Sequence, residues 1–343
     1  MPLSSYSSFT ICKGALLACI IFLAECDYKI GAFNIQTFGK AKYSKEEIKN
    51  YLVNIVVDYD LILIQEIKDS SETTIFNFLS DCQVSKPTFD MVVSPRLGRT
   101  SYKEQYAIIF DSAKLALQKD TVYENSNDLF ARPPITVHFS TVKSSGDIPD
   151  FTVFGVHIDP DDVVQELDEF PAAYEYAIAE GYPAKGILMG DMNADCSYLS
   201  KKKYDSLKMV SDSRFLWLNQ NELDTTVSLN TDCFYDRIVL CGELDPADFA
   251  GPTIDYFDQV FAITNDIAKQ VSDHYPVYVL WKTDDFGKNG SVSVFCNLFS
   301  NLIFGCFPVL HKHRNKDWFE LSLFFITITA IFLIRRVFNY VLR

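Results

Sequence analysis

Nine strand-like runs, most of them ending in or followed at once by a polar residue, constrain this chain more than any other feature. They read YKIGAFNI, DLILIQEI, FDMVVS, QYAIIF, PITVHFS, FTVFGVH, GILMGDM, YDRIVL and YPVYVLW. Each is rich in β-branched and aromatic residues, the composition that fits a pleated, buried surface. Helical patterns lie between some of them. SKEEIKNYLVNIVVD opens with a capping box, Ser44 to Glu47, and puts Ile48, Leu52, Ile55 and Val56 on one face. DDVVQELDEFPAAYEYAIAE predicts a second helix, kinked or restarted at Pro171. Many strands with few helices predict an α+β fold, a four-layer sandwich of two packed mixed β-sheets flanked by helices.

From Asp27 to about Asp284 no linker, repeat or low-complexity run interrupts this pattern, so one domain is expected over 27–284. The flanks differ. Lys13 precedes the apolar stretch GALLACIIFLA, and Ala24 and Cys26 follow in an A-x-C arrangement, so residues 1–26 read as a secretory signal removed near Cys26. Beyond the domain, residues 289–310 carry no charge and precede Lys312, Arg314 and Lys316; residues 321–334 are again uncharged and precede Arg335 and Arg336. A spanning helix needs about 20 apolar residues, so either stretch is borderline, while the basic residues after each fit a stop-transfer signal. Residues 285–343 are therefore expected to anchor the chain in a membrane with a short basic tail, and the domain to be extracellular or luminal. The number of crossings is left open. In that compartment Cys82, Cys196, Cys233 and Cys241 predict one or two disulfides, whose pairing the spacing leaves open.

The net charge of −14 excludes a protein that grips a polyanion with its whole surface. Any nucleic-acid contact has to come from a local basic patch.

Chemistry concentrates where the strands stop. AFNI carries Asn34, LILIQE ends at Glu66, FTVFGVH ends at His157, and ILMGDMNAD presents Asp191, Asn193 and Asp195. YDRIV opens with Asp236, and SDHYPV supplies Asp273 and His274. Taken singly, an Asp or Asn after a strand is usually a turn former and a lone His a structural residue. Six such motifs in one chain weigh against that reading. Carboxylates and amides without a Cys/His cluster suit a hard cation such as Mg²⁺ or Mn²⁺ rather than zinc. Two imidazoles from distant strands suit acid-base work. Together they point to metal-assisted hydrolysis of a phosphate ester.

The string AFNIQTFG, DLILIQEIKDS, LGRTSYKEQYAIIF, GVHIDP, LMGDMNADCSY, DTTVSLNTDCFYDRIV, SDHYPV resembles, in order and across residues 28–281, the deoxyribonuclease I family of the endonuclease/exonuclease/phosphatase superfamily. The resemblance implies a four-layer sandwich with the site where the loops of the two sheets meet. It implies that His157 pairs with Glu104 and His274 with Asp236 as general acid and base, in either order. Asn34, Glu66 and Asp273 would hold the catalytic metal; Asp191 and Asn193 would orient the scissile phosphate, the attacking water or a second metal. Lys68, Arg99, Tyr102 and Arg132 would contact double-stranded DNA, with Lys68 standing where the family often has Arg. Cys196 and Cys233 would form the family's disulfide, and Asp224 and Thr226, with Thr231, a calcium loop. The expected protein is a monomeric, Mg²⁺- and Ca²⁺-dependent endonuclease. The rivals are a membrane-associated phospholipid phosphodiesterase of the same superfamily and a catalytically inactive surface-binding protein.

Overall fold

The computed structural model describes residues 27–124, 126–142, 148–218 and 223–283. The expected signal and anchor segments, 1–26 and 285–343, lie outside the described residues. Among the described residues no helix is long and apolar enough to cross a membrane.

Among the described residues, twelve strands form two six-stranded sheets. The first contains β1 (Tyr28–Phe38), β2 (Leu61–Ile67), β3 (Phe89–Val93), β4 (Gln105–Asp111), β11 (Phe249–Ile254) and β12 (Val277–Trp281), in the order β11-β12-β1-β2-β4-β3. The second contains β5 (Leu115–Val122), β6 (Ile135–Thr141), β7 (Phe151–His157), β8 (Gly186–Asp191), β9 (Phe215–Trp217) and β10 (Asp236–Cys241), in the order β5-β6-β7-β8-β10-β9. Each sheet has one parallel pair at its centre, β1 with β2 and β7 with β8, and antiparallel neighbours around it. β1 and β2 face β8, and β10 faces β12, so the sheets pack on one another as the strand-rich pattern predicts.

Both faces of each sheet are covered, which is why the central strands are apolar almost throughout rather than alternating. On β7, Phe151 and Val153 enter the core between the sheets, while Phe154 and Val156 turn outward onto the helix Val163–Ala179. Phe110 of β4 meets Phe139 of β6 edge-on at 5.0 Å, and Phe151 meets Trp281 at 5.1 Å. Burying each such ring contributes roughly 1.5–3 kcal/mol relative to leaving it in water. On the other outer face, Ile48, Leu52, Ile55 and Val56 of the helix Glu46–Val56 are buried as the periodicity predicts.

Two local expectations change. The helix Glu46–Val56 has Lys45 at its N-cap, with no side-chain cap bond, and the predicted Ser44–Glu47 capping box does not form. Ser44 instead ends a short helix, Lys40–Tyr43, and donates to Ala41 O. The second helix does not restart at Pro171: Val163–Ala179 is one helix with the proline inside it. The three strands that the nine runs omit, β5, β9 and β11, are all sheet edges.

Candidate active site

Strand direction brings the polar residues to one pole. β1, β2, β7 and β8 end there, and the antiparallel strands β4, β10 and β12 begin there. Glu104 precedes β4 by one residue, Asp236 opens β10, and Asp273 and His274 sit just before β12. A Cβ on Gly190, at φ 138°, would collide with the Val156 carbonyl and the Gln65 amide, so glycine is required for β8 to lie this close to its neighbours. Glu66 lies where the register of β2 slips against β4, with φ 61°, a conformation rare outside glycine.

Each histidine is held from the opposite sheet. His157, at the end of β7 in the second sheet, has Nδ1 2.5 Å from Oε1 of Glu104 in the first. His274, leading into β12 of the first sheet, has Nδ1 2.7 Å from Oδ2 of Asp236 in the second. The two free ring nitrogens then converge on one atom: Nε2 of His157 is 3.7 Å and Nε2 of His274 3.6 Å from Asp191 Oδ2. Asn34 Nδ2 donates to the same Asp191 oxygen at 3.1 Å and to Glu66 Oε1 at 3.2 Å. Asn193, at φ 49°, donates its own amide N–H to Asp191 Oδ1 and its side-chain amide to Ile158 O. The expected catalytic residues are thus brought together.

Charge placement sets the protonation. Burial opposes protonation of His157, but the Glu104 carboxylate overrides it and leaves the ring raised above an ordinary histidine, with Arg132 pulling the other way. Burial also opposes protonation of His274, yet Asp236 and Asp191 hold it well above the ordinary range. Burial works against ionised Glu104, but His157, Arg132 and Lys68 keep it below the usual glutamate value. Glu66 is partly buried, which opposes its ionisation, but the His157 charge, the Lys68 ammonium and the Thr37 amide bring it down to about 2. Such opposed fields around paired titratable groups are typical of acid-base sites.

The donors available to a metal are mainly oxygens. Glu66 is ionised, and Asp273 Oδ1 is buried with no hydrogen-bond partner among the described residues. That donor set fits a hard divalent cation. Asn34 Oδ1 accepts from Gln36 N–H at 3.0 Å, which leaves the oxygen a second lone pair, and its nitrogen donates to Asp191 and Glu66. Asp191, Asp236 and His274 also present ligand atoms within 4.8 Å of one another. The 2.7 Å contact between His274 Nδ1 and the Asp236 carboxylate is that of a hydrogen-bonded pair.

The expected DNA contacts divide. Tyr102 is 67% exposed, and Lys68 Nζ lies 4.6 Å from its ring. Arg132 is drawn inward: Nε donates to His157 O at 2.8 Å and lies 3.0 Å from Glu104, while Nη2 is buried without a hydrogen-bond partner among the described residues. Arg99 is engaged by Asp128 and Asp162 and does not project freely. The Cys196–Cys233 disulfide forms and ties the loop after β8 to the loop before β10. Cys82 and Cys241 are free and buried, one near the first sheet's helices and one in β10, so they are not a pair. In the expected calcium loop, Asp224 Oδ1 accepts from Thr226 N–H, Thr226 O–H and Cys233 N–H, and Thr226 shares a hydroxyl bond with Thr231.

Several supporting residues escaped the sequence reading. Gln65 donates across the sheets to Val156 O at 2.6 Å, and Ser272 donates to Asn34 O at 2.6 Å. Lys42 donates to Ile35 O and Val271 O, clipping the Asn34 segment to the one carrying Asp273; burial brings its ammonium down to about 8. Glu166, fully buried on the helix Val163–Ala179, accepts from Ala131 N–H and Asp159 N–H, next to Arg132 and His157. Gln65 and Ser272 lie inside quoted motifs; Lys42 and Glu166 carry no local signal.

Residues 31–274 match the model of the Endonuclease/Exonuclease/phosphatase family. Deoxyribonuclease-1 of Bos taurus is 36% identical over 259 residues, covering 73% of this chain and 91% of the relative. Deoxyribonuclease gamma of Homo sapiens is 33% identical over 258 residues, covering 73% and 84%. Among solved structures, an endonuclease/exonuclease/phosphatase from Bacteroides vulgatus matches with a TM-score of 0.52 at 14% identity, over 75% of this chain and 99% of that one. A humanized D. rerio TDP2 matches with a TM-score of 0.53 at 12% identity, over 75% and 99%. At such identities the structures speak for the fold alone. By its matched span and its relatives, the chain belongs to the endonuclease/exonuclease/phosphatase family, on the deoxyribonuclease I branch.

Proposed function

We propose that the chain is a divalent-metal-dependent endonuclease that hydrolyses phosphodiester bonds of double-stranded DNA. The convergence of both imidazoles on Asp191 carries the reading, because it leaves two proton-transfer groups facing one small volume. One of His157 and His274 takes a proton from the attacking water and the other returns one to the leaving oxygen. Glu104 and Asp236 fix each ring's tautomer and stabilise the imidazolium. Asp191 and Asn193 orient the phosphate or water. Asn34, Glu66 and Asp273 would hold Mg²⁺ or Mn²⁺, with the Asn34 amide N–H also keeping the carboxylates in place; such a cation supplies charge neutralisation of the phosphoryl oxygens. Asp224 and Thr226 would contribute to a calcium loop. Tyr102, Lys68 and the outer atoms of Arg132 would meet the DNA, with Arg99 behind them.

The disulfide supports an oxidising, extracellular or luminal compartment. A signal over 1–26 and a membrane anchor over 285–343 remain part of the proposal, supported by their hydrophobic patterns. The phospholipid-phosphodiesterase reading is less favoured, because the named relatives are deoxyribonucleases.

The test offers the full-length chain supercoiled plasmid and sphingomyelin side by side, with Mg²⁺ and Ca²⁺. Plasmid nicking that falls at least ~10²-fold in His274→Ala is expected. Full activity in that variant overturns the mechanism; cleavage of lipid and not DNA overturns the substrate.

A further inference from the structure

Lys68 stands where two functions meet. Its Nζ is 2.8 Å from Oε2 of Glu66 and 3.5 Å from Oε2 of Glu104, and it also lies 4.6 Å from the Tyr102 ring. The side chain is only 13% exposed, whereas Tyr102 is among the most exposed large residues of the domain. The ammonium thus sits between two sets of partners, with the carboxylates on its inner side and an aromatic face at the surface on its outer side.

A cation bound through Glu66 changes the balance between them. Two positive charges cannot share one carboxylate at contact distance without strong repulsion, least of all where water is partly excluded. Asp273 Oδ1, buried and without a hydrogen-bond partner among the described residues, offers the incoming cation a ligand that Lys68 does not use. Lysine suits such an exchange: its compact ammonium rides on a flexible stem and is not locked by a planar fork, as an arginine would be. Once displaced, the charge stays near the Tyr102 ring, which attracts cations through its face.

We propose that Lys68 is a built-in counter-ion of Glu66, displaced toward Tyr102 by a divalent cation, so that metal loading and DNA contact are coupled through one side chain. This rests on the assignment of Glu66 to the metal site. The coupling is reciprocal: metal strengthens DNA binding by the factor by which DNA strengthens metal binding.

The test measures Mn²⁺ binding to the full-length chain, without DNA, by the electron paramagnetic resonance of free Mn²⁺. Lys68→Met is expected to bind Mn²⁺ about tenfold more tightly, the scale of one lost charge-assisted contact. Lys68→Arg, which keeps the charge and can hold Glu66 with its planar fork, is expected not to tighten Mn²⁺ binding and guards against a folding artefact. Glu66→Gln reads the underlying assignment. If it leaves Mn²⁺ binding unchanged, the metal site lies elsewhere; if it weakens binding while Lys68→Met does not tighten it, the counter-ion role alone fails. A second measurement uses a His274→Ala background that prevents cleavage. There Mn²⁺ is expected to raise affinity for a short DNA duplex severalfold more when Lys68 is intact than when Lys68→Met is added. Equal gains in the two proteins overturn the coupling.

Discussion

The two histidine–carboxylate pairs use the same groups, yet they sit in different fields. His157 faces Glu104 with Arg132 close behind, so a cation opposes the proton that the carboxylate favours. His274 faces Asp236, Asp191 and Asp273, all of which favour its proton. The partner carboxylate fixes each ring's orientation, while the neighbours one step further out separate the two rings in proton affinity. This separation follows from the way the sheets are joined: one histidine and one carboxylate come from each sheet, and Arg132 and Lys68 both reach Glu104.

The comparison breaks most readily at Asp236. Asp236→Asn removes the charge that holds the His274 proton, so activity at neutral pH is expected to fall on the order of 10³-fold. The His274 titration, followed by NMR, should move to lower pH; an unmoved titration would count against the pair. Glu104→Gln should cost about 10²-fold, with the His157 titration moving down because Arg132 and Lys68 are left unopposed. The smallest effect is expected from Arg132→Gln. Loss of a cation that opposes protonation should move the His157 titration, followed by NMR, up, at a cost in activity of about tenfold or less. If His274 moves as far as His157 in that variant, the two fields are not separate.

Much of this site was legible in the chain, because the chemistry sits at strand ends inside short motifs. AFNI, LIQE, GVH, MGDMN, YDR and SDH each place a residue that the fold brings to the pole. The central strands were legible because both their faces are buried, which writes an apolar run into the sequence. β5, β9 and β11 were not, since an edge strand has one partner and a partly solvated face: β5 reads LALQKDTV, mostly exposed or half-buried, and β11 carries Pro252. The capping box failed because Ser44 was already used to end Lys40–Tyr43. Lys42 and Glu166 were invisible for another reason. Each joins a nearby backbone group to one distant in sequence, and no local pattern encodes a partner that only the packed fold supplies.

The antiparallel pairing of β1 with β12 sets Tyr28 opposite Trp281. From there, six residues of β1 lead to Asn34, a span of about 20 Å at the usual rise of a strand. The first and last strands of the domain are thus grasped at the back of the molecule, like a blade set in a handle. A fusion, a tether or an affinity support joined at either end of the folded domain therefore starts about 20 Å along β1 from Asn34, at the end of the strand opposite the site.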